Sequence, residues 1–378
     1  MKKNYFMLAL ASMMMAACAN NDLVDDLVKE EVPQAIGFET FANSATRAEN
    51  SSQGNKWDLE AHQTSFNVWA AKQLGNDQWV EVYKDADTDE RVYWSDSKWN
   101  VTNTKYWDKA ATKYIFYAAA PAAAGWGYDV NSTATDFSDD FLTLSGVTMS
   151  GTNLSVVNGG SIAYQNSWLN AGGDVDYLIA TDKEVERGFY TAATINDVNL
   201  EFNHILSRLN VTVKKSDALN TAGVDVKVTG LTIGNLLNGG NFNEKANLGS
   251  ETLSTGTTKR WTTSGTKGSI TGFNYTMTNE AAYLVQSLII PQEAAYQAIN
   301  RNGTTSTEHP YINIKYTLND EPYEATYNLA HSFVGETTLR FCEGWQNTLN
   351  ITIDADAISF DAEVYQWSDL TSNGSTID

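Results

Sequence analysis

Ala357-Ile358-Ser359-Phe360-Asp361-Ala362-Glu363-Val364-Tyr365-Gln366-Trp367 is the stretch from which the rest of the chain is best read. Ile358, Phe360 and Val364 fall on one face at period two, the pattern of a half-buried β-strand. Burying all three would contribute about 1.5–3 kcal/mol each, before the cost of ordering the segment. A near copy stands far upstream. Ala35-Ile36-Gly37-Phe38-Glu39-Thr40 repeats the Ala-Ile-small-Phe-acid order, so Ile36 and Phe38 present the same two side chains as Ile358 and Phe360. Both segments therefore suit one groove, and Arg47 stands between the first copy and the sequence that follows.

From Trp57 onward the pattern is continuous β. Phe66, Val68 and Ala70 alternate; Trp79 to Tyr83 and Arg91 to Trp94 read as the arms of a hairpin; Tyr114 to Ala118 is an apolar run stopped by Pro121. Residues 130–173, rich in Gly, Ser, Thr and Asn, read as long loops. A second set of strands starts near Asn199 with Leu200 to Leu209. It continues through Val224, Val226 and Val228, Leu284 to Ile290, Ile312, Ile314 and Tyr316, and Leu349, Ile351 and Ile353. Helical patterns are few and short, Glu293 to Ile299 among them. The class is all-β. A length of 378 residues favours two domains, expected as β-sandwiches over 48–197 and 198–378, the second including the strand 357–367.

The N-terminus reads as an address. Lys2 and Lys3 precede an apolar run, Tyr5 to Ala17, that ends in Met15-Ala16-Ala17-Cys18. The run is too short to span a bilayer and is expected to be a signal peptide over 1–18. Its end resembles a bacterial lipobox, with Met15 in place of the usual Leu, which implies lipidation at Cys18. The alternative is an ordinary signal peptide containing a cysteine. The only other cysteine is Cys342, so no disulfide framework is expected. Residues 19–47 then form a propeptide or tether holding the removable first strand, displaced at Ile36 and Phe38. Asn43 to Asn55 is small, polar and easily nicked, and Arg47 is the only arginine before Arg91. Cleavage there would leave Ala48 as the new N-terminus.

Chemistry is sparse. His62, His204, His309 and His331 stand in no zinc or nucleophile–base spacing, and no phosphate-cradling glycine motif occurs. No cofactor, metal or catalytic residue is expected, and an enzyme reading has little to stand on. Asp85, Asp87 and Asp89, with Asp96 at the twelfth position, imitate a calcium loop. Glu90 replaces the required Gly, which favours an ordinary acidic hairpin tip. The aromatic group Trp79, Tyr83, Tyr93, Trp94, Trp99, Tyr106 and Trp107 is either a sugar-stacking platform or core filling, the latter being the commoner use. A formal charge of −21 argues against nucleic acid.

Several residues together resemble the fimbrillin family of Bacteroidetes. They are Tyr106-Trp107 with Tyr114-x-Phe116-Tyr117-Ala118 and Pro121, Leu200-x-Phe202-x-His204-x-Leu206-Ser207-Arg208-Leu209, Gly344-Trp345, and Ile358-x-Phe360 to Trp367. The resemblance implies tandem transthyretin-like β-sandwiches that build type V pili. Such proteins are exported as outer-membrane lipoproteins, here through Cys18, cut after an Arg by a trypsin-like protease, here at Arg47, and joined by strand exchange. The partners implied are other copies or related fimbrial subunits at the cell surface, with Ile358, Phe360 and Val364 as donor residues. The alternatives are a tip or anchor subunit, and a monomeric surface lipoprotein that binds glycans or a host ligand.

Overall fold

A computed structural model of the chain describes residues 33–42, 65–83, 91–122, 125–129, 141–148, 176–192, 194–254, 256–272, 274–295, 309–329, 338–355 and 357–366. The strands belong to a unit that begins at Ala35. In chain order they are β1 (Phe38–Ala42), β2 (Phe66–Gln73), β3 (Trp79–Tyr83), β4 (Arg91–Ser95), β5 (Lys98–Val101), β6 (Lys113–Ala120) and β7 (Trp126–Asp129). Then come β8 (Phe141–Thr148), β9 (Leu178–Glu186), β10 (Val198–His204), β11 (Ser207–Lys215), β12 (Val226–Asn243), β13 (Trp261–Thr271) and β14 (Tyr275–Thr276). Last are β15 (Ala282–Ile289), β16 (Gln292–Ala295), β17 (Tyr311–Leu318), β18 (Glu321–Asn328), β19 (Thr338–Phe341), β20 (Trp345–Ile353) and β21 (Ile358–Gln366). The helices described over their whole length are short ones at Arg187–Tyr190 and Asp217–Thr221, and the chain is all-β as expected.

The first sheet runs β1-β10-β9-β6-β2-β4-β5, with β3 on β2. Its central strands are buried on both faces, which is why Tyr114 to Ala120 reads as an unbroken apolar run. Phe66, Val68, Ala70, Tyr114, Phe116 and Ala118 look into a core that also holds Ile36 and Phe38. Trp69, Ala71, Ile115, Tyr117 and Ala119 look the other way, into a core shared with Leu206, Phe242, Trp261 and Ile290.

Two further sheets, β15-β11-β20-β21 and β18-β17-β12-β8-β7, enclose the third core. It is filled by the alternating residues Leu209, Val211 and Val213, Leu349, Ile351 and Ile353, Val226 and Val228, and Ile312 and Ile314. The 18-residue β12 serves two cores: Val226 to Ile233 belong to this one, and Phe242 to the shared one. It pairs with β17 near its start and with β8 near its end, stepping through register breaks between Gly234 and Leu236 and between Gly240 and Phe242. Ladders thus cross position 198 in both directions, because β10 also joins β9 and β1.

The connection between β10 and β11 is clamped by residues of the sequence motifs. His204 Nδ1 lies 2.7 Å from Asp176 Oδ2, both side chains buried. Trp261 Nε1 donates to the Ile205 carbonyl at 2.7 Å, and Gly344 N to the Leu206 carbonyl at 2.9 Å. Gly344 sits at φ 65°, and a Cβ there would come 3.2 Å from the His204 carbonyl, so glycine suits both the turn and the close approach. Beside it the buried guanidinium of Arg260 forks onto the Glu343 carboxylate and lies over the Phe242 ring.

The expected helical turn at Glu293 to Ile299 is corrected in its described part. Gln292–Ala295 is strand β16, held by antiparallel pairing with β19, a long-range partner that overrides local pattern.

Candidate functional site

The site is the groove occupied by β1. Alternation in Ile36-Gly37-Phe38-Glu39-Thr40 buries Ile36, Phe38 and Thr40 and turns Glu39 to solvent. The strand lies at the sheet edge, paired in parallel with β10 from Phe38↔Val198 to Ala42↔Phe202. On its other side Ile36 N donates to the Lys105 carbonyl at 2.9 Å, and Ala35 bridges Tyr106. Phe38 meets Phe66, Tyr83 and Phe116 edge-on at centroid distances of 6.3, 5.8 and 5.9 Å. Ile36 is 1% and Phe38 3% exposed, so each contributes about 1.5–3 kcal/mol of burial.

Two features of this strand fit less well. Thr40 is fully buried, and its Oγ1 has no hydrogen-bond partner among the described residues. Gly37 faces Asp197: a Cβ there would lie 2.0 Å from Asp197 Oδ1. Burial, and after it the charge of Glu39, raises the Asp197 carboxyl above its usual range. Neither Thr40 nor Asp197 was singled out by the sequence. The period-two pattern reaches Thr40 and could have flagged it, whereas Asp197 gives no local signal.

The second copy sits elsewhere. β21 is the edge of the four-stranded sheet, antiparallel to β20 from Ile353↔Ile358 to Trp345↔Gln366. Ile358 and Phe360 are half-buried against the third core, and Phe360 meets Tyr327 edge-on at 4.7 Å. Val364 departs from the expectation of burial, being 43% exposed. Ile358 and Phe360 lie opposite Ile353 and Ile351, but Val364 lies opposite Asn347, whose amide is turned to Ser207 Oγ. The apolar surface across from this face has ended by then.

Cys18, Arg47 and Ala48 lie outside the described residues, as do Asp85 to Glu90, His62 and His331. Asp96 is exposed in a turn at φ 53°, and no metal-holding group of His, Cys, Asp and Glu occurs among the described residues. Of the aromatic group, Trp79, Tyr83 and Trp107 are buried and Trp94 packs on Trp99 at 5.2 Å; only Tyr93 and Tyr106 are exposed. Trp79, Tyr83 and Trp107 fill the cores, and Trp99 packs against one of them. Cys342 is buried, and its thiol is pushed up to about 11 by burial, which keeps it unreactive.

A family model described as fimbrillin-like matches residues 46–367. The chain is 22% identical over 404 residues to fimbrium subunit Fim1C of Phocaeicola vulgatus, covering 98% of this chain and 97% of the relative. A solved structure of a fimbrial protein from Bacteroides vulgatus is 16% identical, with a TM-score of 0.50 over 88% of this chain and 99% of that one, a likeness of fold.

Proposed function

Because the chain belongs to the fimbrillin-like family, we propose that it is a structural pilin subunit of a cell-surface fimbria. In this reading it is exported as a lipoprotein through Cys18 and cut after Arg47 by a trypsin-like protease. It then polymerises by β-strand donation, with other copies or related fimbrial subunits as partners. The observation that carries the reading is the place of β1. A strand at a sheet edge, upstream of Arg47 in the chain, fills a core with Ile36 and Phe38, and its near copy stands at 357–362. Losing β1 would uncover those two side-chain sites together with the free edge of β10, the situation that strand addition repairs.

Arg47→Ala tests this. The variant should be exported and folded yet stay monomeric, since β1 remains covalently in its groove. Denaturation-resistant ladders equal to those of the unaltered protein would refute the reading. The lipid step has its own check, which is incorporation of labelled fatty acid that is lost in Cys18→Ala.

A further inference from the structure

We propose that the β1 groove reads its occupant at two positions, and that the slot beneath Thr40 and the carboxylate of Asp197 favour residues 357–362 of a second copy in the register of 35–40. The inference rests on the strand-donation reading and adds the residues that tell the two occupants apart.

At the positions of Ile36 and Phe38 the incoming strand is identical, with Ile358 and Phe360, so these side chains hold either strand equally. Position 40 is different. The resident strand puts a hydroxyl there that has left water and gained no partner among the described residues, whereas the incoming strand has Ala362, which carries no polar atom to strand. Burial of the resident strand is therefore tight in shape and imperfect in polarity.

Position 37 works in the other direction until one side chain moves. Gly37 leaves the space that Asp197 Oδ1 fills, and Ser359 would bring a Cβ into it. The obstructing atom is the far end of a side chain whose residue is exposed overall although its carboxyl is partly desolvated, so it can swing aside toward water. Once displaced, the carboxylate is within reach of the Ser359 hydroxyl, which donates to it, a charge-assisted bond that the glycine of the resident strand cannot form. Asp197 is thus a recognition residue for a serine in the donated strand. The donor comes from another molecule whose β21 has left β20, a release eased by the half-burial of Ile358 and Phe360.

The test uses the full chain nicked after Arg47 by an Arg-specific protease and a fluorescent peptide of residues 357–366, with binding read by anisotropy. The Ala362→Thr peptide should bind about tenfold more weakly than the native peptide. Asp197→Ala in the subunit should weaken the native peptide several-fold and leave the Ser359→Gly peptide unchanged. Equal binding of the native and Ala362→Thr peptides, or equal losses for both peptides on Asp197→Ala, overturns the proposal while leaving strand donation intact. If no peptide binds after the β1 fragment has departed, as judged by mass, strand donation itself fails and takes the proposal with it. Position 40 has a further check in the uncut chain. Thr40→Ala should slow hydrogen exchange at residues 38–42 by about tenfold, and unchanged exchange would refute that half independently of any peptide.

Discussion

Residues 35–40, which lead into β1, and 357–362, which open β21, share an Ala-Ile-small-Phe-acid order and reach different depths. Ile36 and Phe38 are buried in one core, Phe38 against Phe66, Tyr83 and Phe116, whereas Ile358 and Phe360 rest half-covered, with Tyr327 as the aromatic neighbour of Phe360. Alternation decides which side chains face inward. How deeply they sink is decided by what stands across from them, and that is a property of the groove. The same isoleucine and phenylalanine, two residues apart, can therefore be a firm anchor in one sheet and a loosely held edge in another.

The largest expected effect separates the two strands by a buried charge. In the uncut chain Phe38→Asp should cost about 3–5 kcal/mol in urea unfolding, because a carboxylate among three rings has no partner. Phe360→Asp should cost about 1–2 kcal/mol, since a half-buried carboxylate stays hydrated. Equal losses would break the comparison. A milder version uses truncation: Ile36→Ala should lose about 2–4 kcal/mol and Ile358→Ala about 1 kcal/mol in the same measurement.

Acidity sharpens the contrast further, since β1 has a titrating neighbour. The raised Asp197 carboxyl means that its ionised form is disfavoured while β1 is docked. Docking should therefore firm as pH falls toward the ordinary aspartate value of 3.8 and loosen as pH rises through the raised one. Hydrogen exchange at residues 38–42, corrected for intrinsic rates, should show this dependence, and Asp197→Asn should flatten it while residues 358–366 stay unaffected. The smallest effect is at Val364. Val364→Ser should change monomer stability by no more than about 0.5 kcal/mol, because the residue is already 43% exposed. A clear loss of assembly from that same variant would mark Val364 as a residue buried only between molecules.

The all-β class and most strand positions were legible because alternation is local. Phe66, Val68 and Ala70, Val226 and Val228, and Ile312 and Ile314 each turn inward where period two puts them. The inward face of β1 was legible for the same reason. Its parallel pairing with β10 was not, since the partner lies far along the chain and no short motif encodes it. Nor was the unpaired hydroxyl of Thr40, which depends on the surroundings assembled from other strands. Val364 misled because period two specifies a face without saying where the opposing core ends. Glu293 to Ile299 misled in its described part because a local helical rhythm yielded to the pairing of Gln292–Ala295 with β19.

The reach of β12 has a consequence for a subunit that bears load. Force passing from residues near β1 toward β21 can run through β10, its short connection to β11, and β20, while β12, laced to β17 in its first part and to β8 in its last, ties two cores together alongside that path. A strand loaded along its length resists through many ladder bonds at once, whereas a linker between separate bodies would simply straighten. The register breaks beside Gly234 and Gly240 are then the compliant points of an otherwise stiff tie. Stretching a single subunit should give one high-force rupture in place of two successive low ones.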